Sequence, residues 1–355
     1  MASSNAQIAH IWRRLGFGPK PGDLAYGVSI GPTALIEELC ARPMSTASDW
    51  AWANTGHWTD DPLFFARNIE LMSHSNNPLQ ARMTWILMGL LVITRTDQIH
   101  LPQLKKYVGQ LRGRALGSYT AMLSEVLVDA GMQWYLNGFD STREHPNENL
   151  ARELMELFSI GVSHPNTGAA NYTELDVKEI ARALTGYSYN FTTESAVFNV
   201  ASWDSGTKYF LGAPRGAAAV AEVLSAVFAH PSYRLSIARR FYRELVGIEP
   251  TVGALNAAAD AFGSSGDLRA LARAIALRPE FLSDAAINAR IRCPVELIAG
   301  SIRALDLRNL YVETGGGFYL DSEMETMQQQ LFRAPNVNGW PQGKAWLHPG
   351  YLIGW

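Results

Sequence analysis

Cysteine is scarce in this chain of 355 residues: Cys40 and Cys293 stand far apart, in no metal-ligand spacing. Two thiols placed like this make neither a disulfide framework nor a zinc ribbon. Charge of one sign is also missing, since 30 Lys and Arg against 33 Asp and Glu leave a formal net charge of −3. Nucleic-acid binders need a concentrated basic face, so no nucleic-acid partner is expected. The basic stretch of Lys105, Lys106, Arg112 and Arg114 is modest, and Arg239, Arg240 and Arg243 read as part of an ordinary helix. The longest apolar run, residues 85–93, has about half of the ~20 residues that a membrane span requires. Residues 1–14 carry no apolar run ahead of a cleavage site. The expectation is a cytoplasmic protein with no secretory leader and no membrane span.

Several catalytic signatures are absent as well. There is no GxSxG, GxxxxGK[ST], GxGxxG or HExxH, so nucleophile-elbow, P-loop, dinucleotide and zincin chemistry have no support in the sequence. The Gly315-Gly316-Gly317 run does not follow a strand with a phosphate-binding fingerprint.

The sequence does contain helical periodicity, within a composition that is 47% hydrophobic and ordinary for a globular protein. Residues 121–136 place Met122, Val126, Ala130 and Met132 among polar neighbours. Residues 173–184 open with Thr173 and Asp176 in capping-box spacing and stop at Gly186. Residues 267–277 have Asp267 as N-cap and Pro279 just beyond the end. Period-two alternation is confined to 197–200 and 208–211, enough for one small hairpin. Loops are expected at 43–61, 163–171 and 192–217. The tail carries Trp340, Trp346 and Trp355, read as packing it onto the core. The predicted fold is mainly α, a multi-helix globular fold with at most a small β-hairpin near 197–211. It is read as one large helical domain over 1–355, with a candidate seam at the 192–217 loop.

The densest polar constellation is residues 147–157. At about 100° per residue, with Glu148 at zero, Arg152 falls near 40°, Glu156 near 80° and Glu153 near 140°. Leu150, Ala151, Leu154, Leu157 and Phe158 occupy the other face. One reading is a plain amphipathic helix with a Glu148–Arg152 pair one turn apart. The other makes Glu148, Arg152, Glu153 and Glu156 candidate catalytic residues, with Glu153 and Glu156 candidate ligands for Mg²⁺ or Ca²⁺. Candidate ligand-binding residues are His10 and Arg14, one turn apart, together with His145 and the Asp204-x-Gly-x-Lys208 turn.

Taken together and in order, these blocks resemble the bacterial domain-of-unknown-function family eighteen-hundred. The resemblance rests on residues 10–18, the helix from Asn147-Glu148-Asn149 to Gly161, and Tyr172-Thr173-x-x-Asp176-Val177 with Ala183-Leu184-Thr185-Gly186. It continues through Asp204-x-Gly-x-Lys208 with Leu211-Gly212, Pro294-Val295-Glu296, and Pro335-Asn336-Val337-x-Gly339-Trp340-Pro341 with Trp346-Leu347. It implies a helical fold and no settled activity; members are often exported and encoded beside sulfatase-like or phosphatase-like proteins. Members usually carry Trp-His-Asn-His-Phe after an Arg-Met pair. Here Met88 and Leu90 stand where those histidines fall, Asn137 replaces an aspartate, and Trp203 replaces a histidine. Met, Leu, Trp and Asn are poor substitutes in a metal or acid/base site. The balance of expectation is a divergent, non-catalytic member that binds a partner protein or a small ligand. The alternative is a hydrolase or lyase working through a carboxylate–arginine cleft.

Overall fold

The computed structural model of the protein describes residues 4–45, 61–307 and 317–352. It opens with α1 (Ser4–Arg14), α2 (Asp23–Ile30), α3 (Pro32–Ala41), α4 (Asp61–His74) and α5 (Pro78–Leu90). Next come α6 (Leu101–Gly113), α7 (Tyr119–Val126), α8 (Ala130–Tyr135), α9 (Asn149–Glu156) and α10 (Glu174–Ala183). Two hairpins follow: β1 (Tyr187–Asn190) with β2 (Ser195–Phe198), and β3 (Lys208–Phe210) with β4 (Ala213–Gly216). The remaining helices are α11 (Val220–Ala229), α12 (Ser232–Val246), α13 (Val252–Phe262), α14 (Leu268–Ala276), α15 (Asp284–Ile287), α16 (Pro294–Ala304), α17 (Gly317–Thr326) and α18 (Pro349–Leu352). The fold is mainly α, and no helix among the described residues is long and apolar enough to cross a membrane.

Local chemistry sets most of the boundaries. The Thr173 hydroxyl and the Asp176 carboxylate close a capping box at the start of α10, and the Asp267 side chain accepts from Ala270 N at the start of α14. The helical pattern expected over 121–136 is broken in two. Asp129 is extended and its side chain accepts from Gly131 N, which caps a new helix, α8, in the middle of the apolar run.

The strand segments also differ from the expected single hairpin. Residues 195–198 pair with 187–190 rather than with 208–210, giving two separate two-stranded sheets. The chain between them is diverted by a 3₁₀ turn, Val200–Ser202, capped by Asn199. Beyond it, Tyr209 N donates to Glu179 and Leu211 N to Asp176, which pins β3 to α10. Leu211 and Gly212, at φ 49° and 74°, form the two-residue turn to β4; positive φ at both positions matches the right-handed twist of a hairpin.

The buried apolar side chains form one contiguous cluster from Ile8 to Trp346. The tail docks on it as expected: Trp340 stacks on Trp85 at 5.6 Å between ring centroids, and Trp346 is fully buried. Trp355, Gly315 and Gly316 lie outside the described residues, as does most of the 43–61 loop.

Within this core sits a chain of buried charges. Glu296 on α16 takes Arg82 of α5 and, at 3.0 Å, Arg290; Arg290 also reaches Glu244 of α12 at 2.5 Å. Arg82 further donates to the carbonyls of Gly16 and Arg13 at 2.8 and 2.6 Å, tying down the exit of α1. Burial alone would raise the Glu296 pKa, but Arg290 and Arg82 override it and hold the carboxyl at about 2 against an ordinary 4.5. Its stabilisation is therefore complete above pH 4.5 and is lost as the pH falls toward 2. Glu296→Ala, which leaves two buried guanidiniums without their shared partner, should lower the unfolding free energy at pH 7 by about 3–5 kcal/mol. Urea midpoints measure this, and the variant should also lose part of the wild-type decline between pH 4.5 and 2.

A carboxylate and arginine cleft

The candidate residues of α9 separate into two groups. Arg152 turns outward: it makes a bidentate contact with Glu174 at 2.9 and 2.8 Å and a further one with Glu148 at 3.1 Å. All three side chains are substantially exposed, so this network adds at most about 1 kcal/mol. Glu156 lies on the side of α9 that borders a cleft. Glu153 is half-buried, and among the described residues no hydrogen bond or ion pair holds its carboxyl. Burial first, and the neighbouring Glu156 charge second, push its pKa above the usual carboxylate range. Tyr172 donates its hydroxyl to Glu156 at 3.4 Å, and its pKa is pushed up to about 12 by burial and by the Glu156 charge.

Glu156 borders a cleft of about 210 Å³ whose opposite wall is α12. Arg239, Arg240, Arg243 and Ser236 line that wall, and Ser163 lines the cleft from the loop after α9. Arg239 and Arg243 share the single carboxylate of Glu249, at 3.0 and 2.5 Å, and Arg240 donates to the Gly89 carbonyl at 3.3 Å. These arginines read from the sequence as an ordinary helix. A usable signal was present in the spacing, because Arg239 and Arg243 are like charges one turn apart, which an isolated helix disfavours.

The other candidates lie away from this cleft. His10 and Arg14 are in the core, 1% and 7% exposed. Burial and then the Arg14 and Arg13 charges take the His10 pKa down to about 3, so its ring is neutral at physiological pH. Arg14 donates to the Ala286 carbonyl at 3.3 Å, and burial with the nearby Arg290 charge lowers its pKa to about 9. The His145 side chain is exposed on the loop before α9. Asp204 takes Arg182 at 2.7 and 3.2 Å and caps its own turn through Gly206 N. Lys208 is buried over the Trp203 ring, with its ammonium on the carbonyls of Asp204 and Gly206. The charges of the Asp-x-Gly-x-Lys turn are thus taken up by Arg182 and by the turn's own carbonyls, which anchors β3 to α10. Among the described residues, no three His, Cys, Asp or Glu side chains gather closely enough to hold a metal ion.

Residues 10–354 match the family described as a protein of unknown function, DUF1800. The chain belongs to the DUF1800 family. No curated protein and no solved structure matches it. In this DUF1800 chain Met88 and Leu90 are core residues, 5% and 2% exposed. Asn137 sits at φ 56°, a conformation asparagine tolerates, and its side-chain oxygen accepts from Asn149 at the start of α9 at 3.2 Å.

The raised proton affinity of Glu153 has a measurable sign. Its carboxyl binds a proton more tightly in the folded chain than at the ordinary value of 4.5. Stability drawn from it is therefore full below pH 4.5 and lost as the pH rises through the folded value. Glu153→Gln, uncharged at every pH, should melt above the wild type at pH 7, with the gap closing near pH 4. Identical melting curves at both pH values would refute this.

Proposed function

We propose that this DUF1800 chain binds a small anion in the cleft between the end of α9 and α12. The observation that carries the reading is the gathering of Arg239, Arg240 and Arg243 on one wall of the cleft. A guanidinium presents five donors in a planar fork suited to carboxylate and phosphate oxygens. The contacts to Glu249 and Gly89 occupy only part of that capacity. Three guanidiniums meet two carboxylates, Glu156 and Glu249, and a bound anion offsets the surplus positive charge. A concave site of about 210 Å³ suits a small ligand better than a protein surface, which favours the small ligand over the protein partner.

A second reading has one specific observation in its favour. Glu153 is a half-buried carboxyl whose pKa is raised by burial and by the neighbouring Glu156 charge, the direction in which proteins shift a general acid. Glu153 would then donate a proton in a hydrolase- or lyase-type step, with the arginines stabilising developing negative charge. Glu153 and Glu156 would supply at most two carboxylates to Mg²⁺ or Ca²⁺; Mg²⁺ is often held by one or two protein carboxylates plus the ligand's own oxygens.

Calorimetric titration with inorganic phosphate at low ionic strength tests the first reading. Saturable binding is expected, weakened at least about tenfold, or by 1.4 kcal/mol, in the Arg239→Gln, Arg243→Gln double variant. Absence of binding by the wild type would sink the anion reading. Turnover of phosphate esters that disappears in Glu153→Gln while binding persists would establish the second.

A further inference from the structure

Three of the four His-Pro pairs in this chain build the same turn. In His164-Pro165-Asn166, His230-Pro231-Ser232 and His348-Pro349-Gly350 the imidazole Nδ1 accepts from the backbone N–H two residues on, at 3.2 Å each time. A ring nitrogen that accepts carries no proton, so each ring is neutral as it stands. His348 is exposed in the tail, whereas His164 and His230 are half-buried and near enough for the charge of one to oppose protonation of the other. His230 is gripped at both nitrogens: Nδ1 takes the N–H of the buried Ser232, and the other ring nitrogen bonds the Asn171 backbone. Asn171 in turn holds the loop that begins at Gly161. Its Nδ2 donates to the carbonyls of Ile160 and Gly161 at 2.7 and 2.9 Å, and its Oδ1 accepts from Ser232 Oγ at 2.6 Å. Ser236 Oγ of α12 donates to the same Ile160 carbonyl at 2.5 Å. Gly161, Val162, Ser163 and Pro165 of this loop line the arginine cleft, as does Ser236. A continuous run of hydrogen bonds therefore joins His230 to the backbone that borders the cleft.

We propose that His230 and Asn171 latch the 161–171 loop onto α12 as one side of the anion cleft, and that protonation of His230 and His164 in acid opens the latch and releases the anion. This rests on the anion-binding reading above and adds the condition under which the site empties. A proton added to Nδ1 of His230 faces the N–H of the buried Ser232, donor against donor, and that N–H loses its acceptor. Protonating His164 does the same to Asn166 N and sets two like charges near each other. Burial first, and the His164 charge next, lower the His230 pKa below the ordinary 6.5, against the opposing pull of the Asn171 backbone and of Asp176 on α10. In an opened loop the ring returns toward 6.5. The latch is therefore at full strength above pH 6.5 and weakens as the pH falls through the lowered folded value. A bare arginine site would behave in the opposite way, since the positive charge gained in acid tightens anion binding.

The test uses two measurements on the full chain at pH 7.5 and 5.5. One is hydrogen-exchange protection of the Gly161, His164, Gly168 and Asn171 amides, all hydrogen-bonded in this region. The other is calorimetric titration with sulfate, whose charge is the same at both pH values. Loop protection should fall by about three- to tenfold at the lower pH, because a freed histidine becomes mostly charged over that span. Sulfate affinity should fall with it. In the His164→Asn, His230→Asn double variant each asparagine oxygen can accept the same N–H two residues on and does not titrate, so both falls should disappear. The readout is a ratio between two pH values within one protein, so a variant that is weaker throughout still gives it. Loop protection that is equal at both pH values in the wild type, or sulfate that binds as well or better at pH 5.5, refutes the latch while the anion site stands. If sulfate does not bind at pH 7.5 the inference also falls, and binding of phosphate decides whether the anion reading falls with it.

Discussion

The buried carboxylate of Glu296 is the constraint on which the rest of the arrangement depends. It lies between Arg82 and Arg290, and each of those arginines reaches on to another element: Arg82 to the carbonyls that end α1, Arg290 to Glu244 on α12. Four separated stretches of chain are fixed to one another through a single side chain. Charges this far from water persist only when their partners surround them, so the relative placement of α5, α12 and α16 is specified much more tightly than apolar contact alone would specify it. Arg240 is on the same helix as Glu244, one turn earlier. The arginine wall of the cleft is therefore held by the network that closes the core.

The functional proposals follow from how charges are partitioned at the protein's surface. Where the sequence places acid and base within reach, as in Arg152 with Glu174 and Glu148 or Arg182 with Asp204, they neutralise each other and offer little to a ligand. The α12 arginines are short of carboxylates, and Glu153 and Glu156 are short of cations. The cleft brings Glu156 and the α12 arginines together around a small volume. Incomplete pairing of this kind is where recognition and proton chemistry are found in proteins.

Much of the fold was legible in the sequence because its signals act over a few residues. The capping box of Thr173 and Asp176 and the N-cap at Asp267 are contacts within one turn of chain, and both formed as read. The break at Asp129 and the division of the strands were not legible. The first needs a cap to prevail over an apolar pattern that continues across it. The second depends on Glu179 and Asp176 of α10, which reach across more than 25 residues to β3. At the site, the helical wheel of α9 put its charges on one broad face, and packing divided that face into an outward Arg152 with Glu148 and a Glu156 that borders the cleft.

The sequence by itself determined the mainly helical architecture, the absence of a long apolar span among the described helices, and membership in DUF1800 through motifs spread along residues 10–354. Those properties are sums of local preferences and need no knowledge of what lies across the core. Only the tertiary structure decided which charges are spent on one another and which remain open. It enclosed His10 and Arg14 in the core, tied Asp204 to Arg182 and Lys208 to the carbonyls of its own turn, and set Glu156 on a cleft with arginines more than eighty residues along the chain. The physical reason is that electrostatic pairing and desolvation depend on distance in space, and the packing of α9 against α12 fixes that distance.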